Sequence, residues 1–117
     1  MDPICNIFLD TTELNCLVVG AGEVAARKVE LLLKTSAQVT VVAPWACSTI
    51  LRLVDEQKIT LHLRPFVEND LETKQLVFVA TNDSNLNANI HALAKAQKIL
   101  VNVVDNIPLC QFITPSI

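Results

Sequence analysis

Glycine is scarce in this sequence. The 117 residues hold only two, where average usage would give roughly eight. Both fall in one turn, at Gly20 and Gly22, which is where the chain needs backbone freedom. Other absences narrow the class. Net charge is −3, so no basic field favours nucleic acid and no such partner is expected. The longest stretch without a charged side chain, residues 35–51, contains Gln38, Pro44 and Ser48, which argues against a membrane span and a membrane partner. The opening Met1-Asp2-Pro3 has neither a basic n-region nor an apolar h-region, so no signal peptide is expected. The four cysteines, at positions 5, 16, 47 and 110, form no C-x-x-C pair and no zinc spacing, and read as reduced core residues. His62 and His91 fall on the polar sides of their segments, and no preformed metal site is expected. The expectation is a single cytoplasmic domain over residues 1–117.

Apolar residues make up 51% and charged residues 18%, which excludes disorder by composition. Apolar runs alternate with helical patterns. Strands are predicted over residues 14–19, 39–42, 59–64, 76–80 and 100–104, and helices over 23–34, 45–57 and 84–98. The run 59–64 (ITLHLR) alternates strictly, as a half-exposed strand near a sheet edge does, whereas 76–80 (LVFVA) suits a strand covered on both faces. Glu23/Arg27 and Glu30/Lys34 are i,i+4 pairs. Residues 65–75 are polar and carry no clear pattern, and residues 4–9 are a candidate extra strand. The order predicts an α/β, Rossmann-like doubly wound parallel sheet. The tail, residues 106–117, has no charged side chain yet holds Ile107, Leu109, Phe112, Ile113 and Ile117, a composition suited to packing.

Gly20-Ala21-Gly22-Glu23-Val24-Ala25 is G-x-G-x-x-A between a predicted strand and a predicted helix. In such turns the first glycine permits the tight bend and the second lets a pyrophosphate approach the backbone. The small third position keeps helix and strand close, and free amides at the helix start bind the phosphates. Gly20, Ala21, Gly22, Glu23 and Val24 are therefore candidate cofactor contacts. An acid that binds the ribose hydroxyls is expected about 20 positions on. The sequence there reads Val42-Ala43-Pro44-Trp45, with no carboxylate and no base for a 2′-phosphate, which favours NAD over NADP. Ala43, Pro44 and Trp45 join the cofactor candidates, Trp45 either packing on the adenine or serving as a partly exposed core residue. Thr81, Asn82 and Asp83 follow a strand and precede a helix, so they can line the cleft while Asp83 caps the helix. Asn102 and Val104, at the end of the last strand, are grouped with the same edge.

Three segments carry a family resemblance. They are Leu17-Val18-Val19-Gly20-Ala21-Gly22-Glu23-Val24-Ala25-Ala26-Arg27-Lys28, Val79-Ala80-Thr81-Asn82-Asp83, and Val101-Asn102-Val103-Val104-Asp105 with Phe112-Ile113-Thr114-Pro115-Ser116-Ile117. With their spacing, the chain resembles the N-terminal dehydrogenase/ferrochelatase domain of siroheme synthases and the stand-alone precorrin-2 dehydrogenases. The resemblance implies NAD-dependent oxidation of precorrin-2 to sirohydrochlorin, with ferrous iron insertion in some members. It implies a tetrapyrrole substrate, iron as a second substrate and a homodimer in the full-length form. It also implies that Asp105 is the catalytic carboxylate; read without it, Asp105-Asn106-Ile107-Pro108 is a plain turn. Family members continue past the P-S-I segment into a helical part that dimerises, and they usually carry glycine where Ser36 stands. The substrate has many carboxylates, so attraction to this acidic chain must come from residues such as Arg27, Lys28 and Arg64, or from that further part. Two other classes stay open: a non-catalytic NAD-sensing module, disfavoured by the missing acid, and a small NADP-dependent reductase, disfavoured by the missing basic pocket.

Overall fold

The computed structural model describes residues 14–104. Five parallel strands, β1 (Asn15–Val19), β2 (Gln38–Ala43), β3 (Thr60–Leu63), β4 (Leu76–Val79) and β5 (Leu100–Val103), form one sheet in the order β3-β2-β1-β4-β5. Helices α1 (Glu23–Leu32), α2 (Ser48–Asp55) and α3 (Ser84–Ala96) connect them, with a 3-10 turn at Glu68–Leu71 between β3 and β4. This is the expected Rossmann-like α/β arrangement, and chain order reverses between β1 and β4. The candidate strand at residues 4–9 and the apolar tail lie outside the described residues.

The two faces of the sheet follow from the two-residue period of the strands. Val18, Val39 and Val41 face α1 and α2, packing against Ala25, Ala26, Val29, Ile50 and Leu53. Leu17, Val19, Val42, Val77 and Val79 face the other way, against Ile90 of α3 and Leu71 of the 3-10 turn. Central strands are therefore apolar on both faces along most of their length, with Thr40 of β2 half-buried, whereas edge strand β3 leaves Thr60, His62 and Leu63 exposed. Leu71 explains why the polar stretch 65–75 is ordered: its side chain is almost fully buried, and truncating such a residue costs roughly 2–5 kcal/mol.

The helix ends account for part of the glycine scarcity. Gln57 and Lys98, just past α2 and α3, adopt left-handed backbone with φ of 61° each, where glycine is usual. After α1, the Thr35 hydroxyl donates to the Leu32 carbonyl (2.6 Å) and accepts from the Ala37 amide (3.1 Å), so Thr35 supplies the stop near Ser36. One expected pairing is replaced: Glu30 meets Arg52 of α2 at 3.6 Å, and neither Glu30/Lys34 nor Glu23/Arg27 forms an ion pair among the described residues. Cys16 is buried, and burial pushes its thiol up to about 11, which keeps it protonated and inert. Cys47 is a second free thiol, half-buried.

Candidate functional site

In open parallel sheets a ligand crevice forms at the carboxyl ends of the strands where chain order reverses. A cavity of about 720 Å³ occupies that position. Three of the chain segments that shape it hold the candidate residues. The first is the glycine turn. Gly20 has φ of +114°, a conformation open to glycine and costly for other residues. A side chain there would press on the Ala80 carbonyl, whose carbon lies 2.9 Å from the position of a Cβ. The turn is pinned by backbone: the Gly20 amide donates to the Val42 carbonyl (2.9 Å), and the Cys47 amide to the Ala21 carbonyl (2.8 Å). Gly22 starts α1 with no side-chain cap. The first bond of the helix runs from the Ala26 amide to the Gly22 carbonyl (2.9 Å). The amides of Glu23, Val24 and Ala25 thus precede the helical ladder and sit at its positive end.

The second segment follows β2, where Ala43, Pro44 and Trp45 line the cavity. Trp45 is 60% exposed, and its ring edge lies 3.4 Å from where a Gly22 Cβ would be. It stands at the mouth of the cavity rather than in the core. The third segment is Thr81, Asn82 and Asp83 after β4. Asp83 caps α3, its carboxylate accepting from the Leu86 amide at 3.1 Å, and also lines the cavity, so both expected roles coincide. The cavity therefore gathers Gly20, Ala21, Gly22, Glu23, Val24, Ala43, Pro44, Trp45, Thr81, Asn82 and Asp83. It does not include Asn102 or Val104. Asn102 is exposed on β5 opposite Phe78. Val104, whose amide donates to the Val79 carbonyl (2.8 Å), packs into the α1–α2 core. Asn102 lies on β5 and Val104 directly after it, one strand beyond β4, and neither lines this cavity. Asp105 lies outside the described residues.

Three contributors escape a sequence reading. Pro65 and Phe66 form a wall of the cavity after β3, and Leu86 adds an α3 side chain. Asn87 supports the third segment. Helical spacing places it with the polar face of α3, yet it is only 4% exposed. Its Nδ2 donates to the Thr81 carbonyl (3.0 Å), and its Oδ1 accepts from the Thr81 hydroxyl (2.5 Å). The Asp83 amide donates to that same hydroxyl at 3.1 Å. The available signal is an Asn four residues after a helix-capping Asp, one turn above the loop. Asn87→Leu removes both partners of Thr81 and is expected to destabilise the domain by about 1–3 kcal/mol and to weaken ligand binding in the cavity; urea unfolding and calorimetric titration measure the two effects.

The expected attraction by Arg64 is corrected. Its guanidinium is closed in a bidentate pair with Asp70, at 3.0 and 2.6 Å, and also donates to the Pro65 carbonyl (3.1 Å). The Asp70 side chain is 8% exposed and accepts a further bond from the Val67 amide (2.9 Å). Burial by itself would raise the Asp70 carboxyl, but the Arg64 and Val67 bonds, with the charges of Arg64 and His62, hold it below its ordinary value of 3.8. The same pairing raises the Arg64 guanidinium. A carboxylate held low in the folded state stabilises the fold at neutral pH and loses that contribution as pH falls through its folded value. NMR titration is expected to give Asp70 a midpoint under 3.8, with the acid limb of unfolding shallower in Asp70→Asn. Of the other cations, Arg27 is exposed and Lys28 lies over the Phe78 ring, 5.5 Å from its centroid. Among the described residues no three His, Cys, Asp or Glu side chains come together to hold a metal, and no helix is long and apolar enough to cross a membrane.

The cavity fits a dinucleotide phosphate on the structure's own terms. Its backbone leaves no room for a Cβ at Gly20, the helix start is uncapped, and among the described residues no acidic side chain except Glu23 and Asp83 lines it. Comparisons with known proteins agree. A family model described as "Putative NAD(P)-binding" matches residues 7–116. A siroheme synthase of Pseudoalteromonas atlantica is 76% identical over 95% of this chain and 24% of its own length. One from Nitrosospira multiformis is 49% identical over the same shares. The chain thus spans about a quarter of the length of the curated relatives it matches. Among solved structures, the precorrin-2 dehydrogenase SirC superposes with a TM-score of 0.72 at 32% identity, covering 80% of this chain and 47% of that one.

Proposed function

Since this chain belongs to the NAD(P)-binding family matched over residues 7–116, we propose that it is the NAD-binding domain of a precorrin-2 dehydrogenase, oxidising precorrin-2 to sirohydrochlorin in siroheme biosynthesis. The observation that carries this reading is the uncapped α1 start behind Gly20 and Gly22, in a chain whose relatives include siroheme synthases and a precorrin-2 dehydrogenase. NAD, when bound, supplies the hydride acceptor. The Glu23 and Val24 amides hold its pyrophosphate, with Ala21 and Gly22 giving the close approach. Ala43, Pro44 and Trp45 would hold the adenosine half, and Thr81, Asn82 and Asp83 would face the nicotinamide half. Asp105, one residue beyond Val104, is the carboxylate that takes the proton lost when hydride leaves the tetrapyrrole.

The same reading extends to ferrous iron as a second substrate, giving a lyase activity alongside the oxidoreductase. It places the protein in the cytoplasm and makes the full-length form a homodimer. Residues 1–117 act as one domain, with the tetrapyrrole held in part by sequence beyond Ile117. A NAD-sensing module without turnover is the competing class; the absence of a carboxylate at Ala43-Pro44-Trp45 weighs against it. The test is to extend the chain beyond Ile117 to the length of its relatives and incubate it with precorrin-2 and NAD. Sirohydrochlorin and NADH should appear together. NAD binding without either product, in a dimeric and folded preparation, would leave the sensing module standing instead.

A further inference from the structure

Sequence alone favours NAD over NADP only through the absence of a base near the end of β2. The structure brings a base beside that end from the neighbouring strand. β3 lies beside β2 with Ala43 opposite Leu63, and the Arg64 amide donates to the Ala43 carbonyl (2.9 Å). Arg64 does not itself line the cavity, but its backbone is bonded to Ala43 and its guanidinium to the Pro65 carbonyl, and both of those residues do. In Rossmann folds an arginine in this neighbourhood accommodates the 2′-phosphate of NADP. Here its fork is committed: two bonds go to the Asp70 carboxylate and one to the Pro65 carbonyl.

Asp70 is itself immobilised. It is nearly buried, and the Val67 amide bonds one of its oxygens. The carboxylate therefore sits inside the 3-10 turn that Leu71 anchors in the core. A planar guanidinium with a bidentate carboxylate partner has its charge neutralised and its orientation set. A 2′-phosphate arriving at this edge would meet a cation that is already paired, together with the negative charge of Asp70.

We propose that Asp70 is a cofactor-specificity residue: by holding Arg64 it denies NADP the arginine that would otherwise receive its 2′-phosphate, and so keeps the cavity selective for NAD. This rests on the dinucleotide reading given above. Asp70 touches Arg64, not the cofactor, and so acts as a positioning residue. Its role predicts a change in preference between two ligands that differ by one phosphate, which a purely structural role would not produce.

The experiment is calorimetric titration of NAD and NADP into the chain, for wild type, Asp70→Asn, and the double variant Asp70→Asn/Arg64→Gln. Asparagine keeps an oxygen for the Val67 amide while removing the charge. NADP affinity relative to NAD should rise by about tenfold in Asp70→Asn, the scale of one charge-assisted phosphate contact, and return to the wild-type ratio in the double variant. An unchanged ratio in a folded Asp70→Asn overturns the proposal. So does a gain that persists without Arg64. Pro44→Arg, which presents a guanidinium from the β2 side of the same edge, covers the case in which Asp70→Asn does not fold. It should also shift the ratio towards NADP, and no shift would mean that the phosphate does not lie at this edge. Failure of wild type to bind either dinucleotide would instead sink the dinucleotide reading itself.

Discussion

Replacing Gly20 by alanine is expected to abolish measurable NAD binding and to destabilise the domain together. The residue holds φ of +114°, and a non-glycine side chain in such a region costs on the order of 1–3 kcal/mol. The Cβ would also collide with the Ala80 carbonyl, which belongs to backbone rather than to a flexible side chain. Ala80 is held in turn, its amide donating to the Val19 carbonyl at 2.9 Å. Relief therefore requires β1 and β4 to separate at the edge where the cavity lies. Gly22→Ala provides the contrast. Gly22 has φ of −88°, and its added methyl would meet only the rim of the Trp45 ring at ordinary contact distance. That variant should fold normally and lose affinity alone, because the methyl stands where the pyrophosphate approaches the backbone. Thermal unfolding with calorimetric NAD titration separates the two outcomes; equal losses of stability in both variants would contradict this division of roles.

Asp105→Ala is expected to lower precorrin-2 turnover by roughly 10²–10⁴-fold, the range of a lost general base, with NAD affinity unchanged. The expectation of unchanged affinity comes from topology. The chain reaches Asp105 from β5, which pairs with β4 and not with β1 or β2, whereas the phosphate turn and the Ala43-Pro44-Trp45 edge belong to β1 and β2. A residue that follows β5 in the chain and a phosphate site that follows β1 and β2 can then be damaged separately. The measurement is the rate of sirohydrochlorin formation at saturating NAD, in the extended protein. Turnover like wild type would remove Asp105 from the mechanism and leave the cofactor assignment untouched.

Much of the fold was legible because its signals are local. Each central strand is apolar at successive positions, so a short run such as LVFV reads as a strand covered on both faces, and the structure buries Val77 and Val79 on one side with Phe78 turned to the other. The strict alternation of β3 announced an edge strand, and β3 is one. What failed depended on partners that no helix or strand period marks, six residues away for Asn87 and Arg64 and on another helix for Glu30. Asn87 looked solvated because helical periodicity registers a face, not the loop folded over it. Arg64 looked available because its partner sits in a 3-10 turn that has no periodic signature. Glu30 found Arg52 on another helix instead of its neighbour one turn along.

The sequence by itself determined the elements, the parallel sheet and the phosphate turn, since these follow from residue periodicity and from a glycine pair whose dihedral needs are intrinsic to the backbone. Only the tertiary structure decided which side chains share the cavity. It brought Pro65, Phe66 and Leu86 to the cavity, left Asn102 and Val104 off its lining among the described residues, and turned Arg64 from a free cation into a paired one. The physical reason is that a binding edge is assembled from loops after non-consecutive strands. Side-chain pairing there depends on which strands are neighbours, and strand order is a property of the folded sheet.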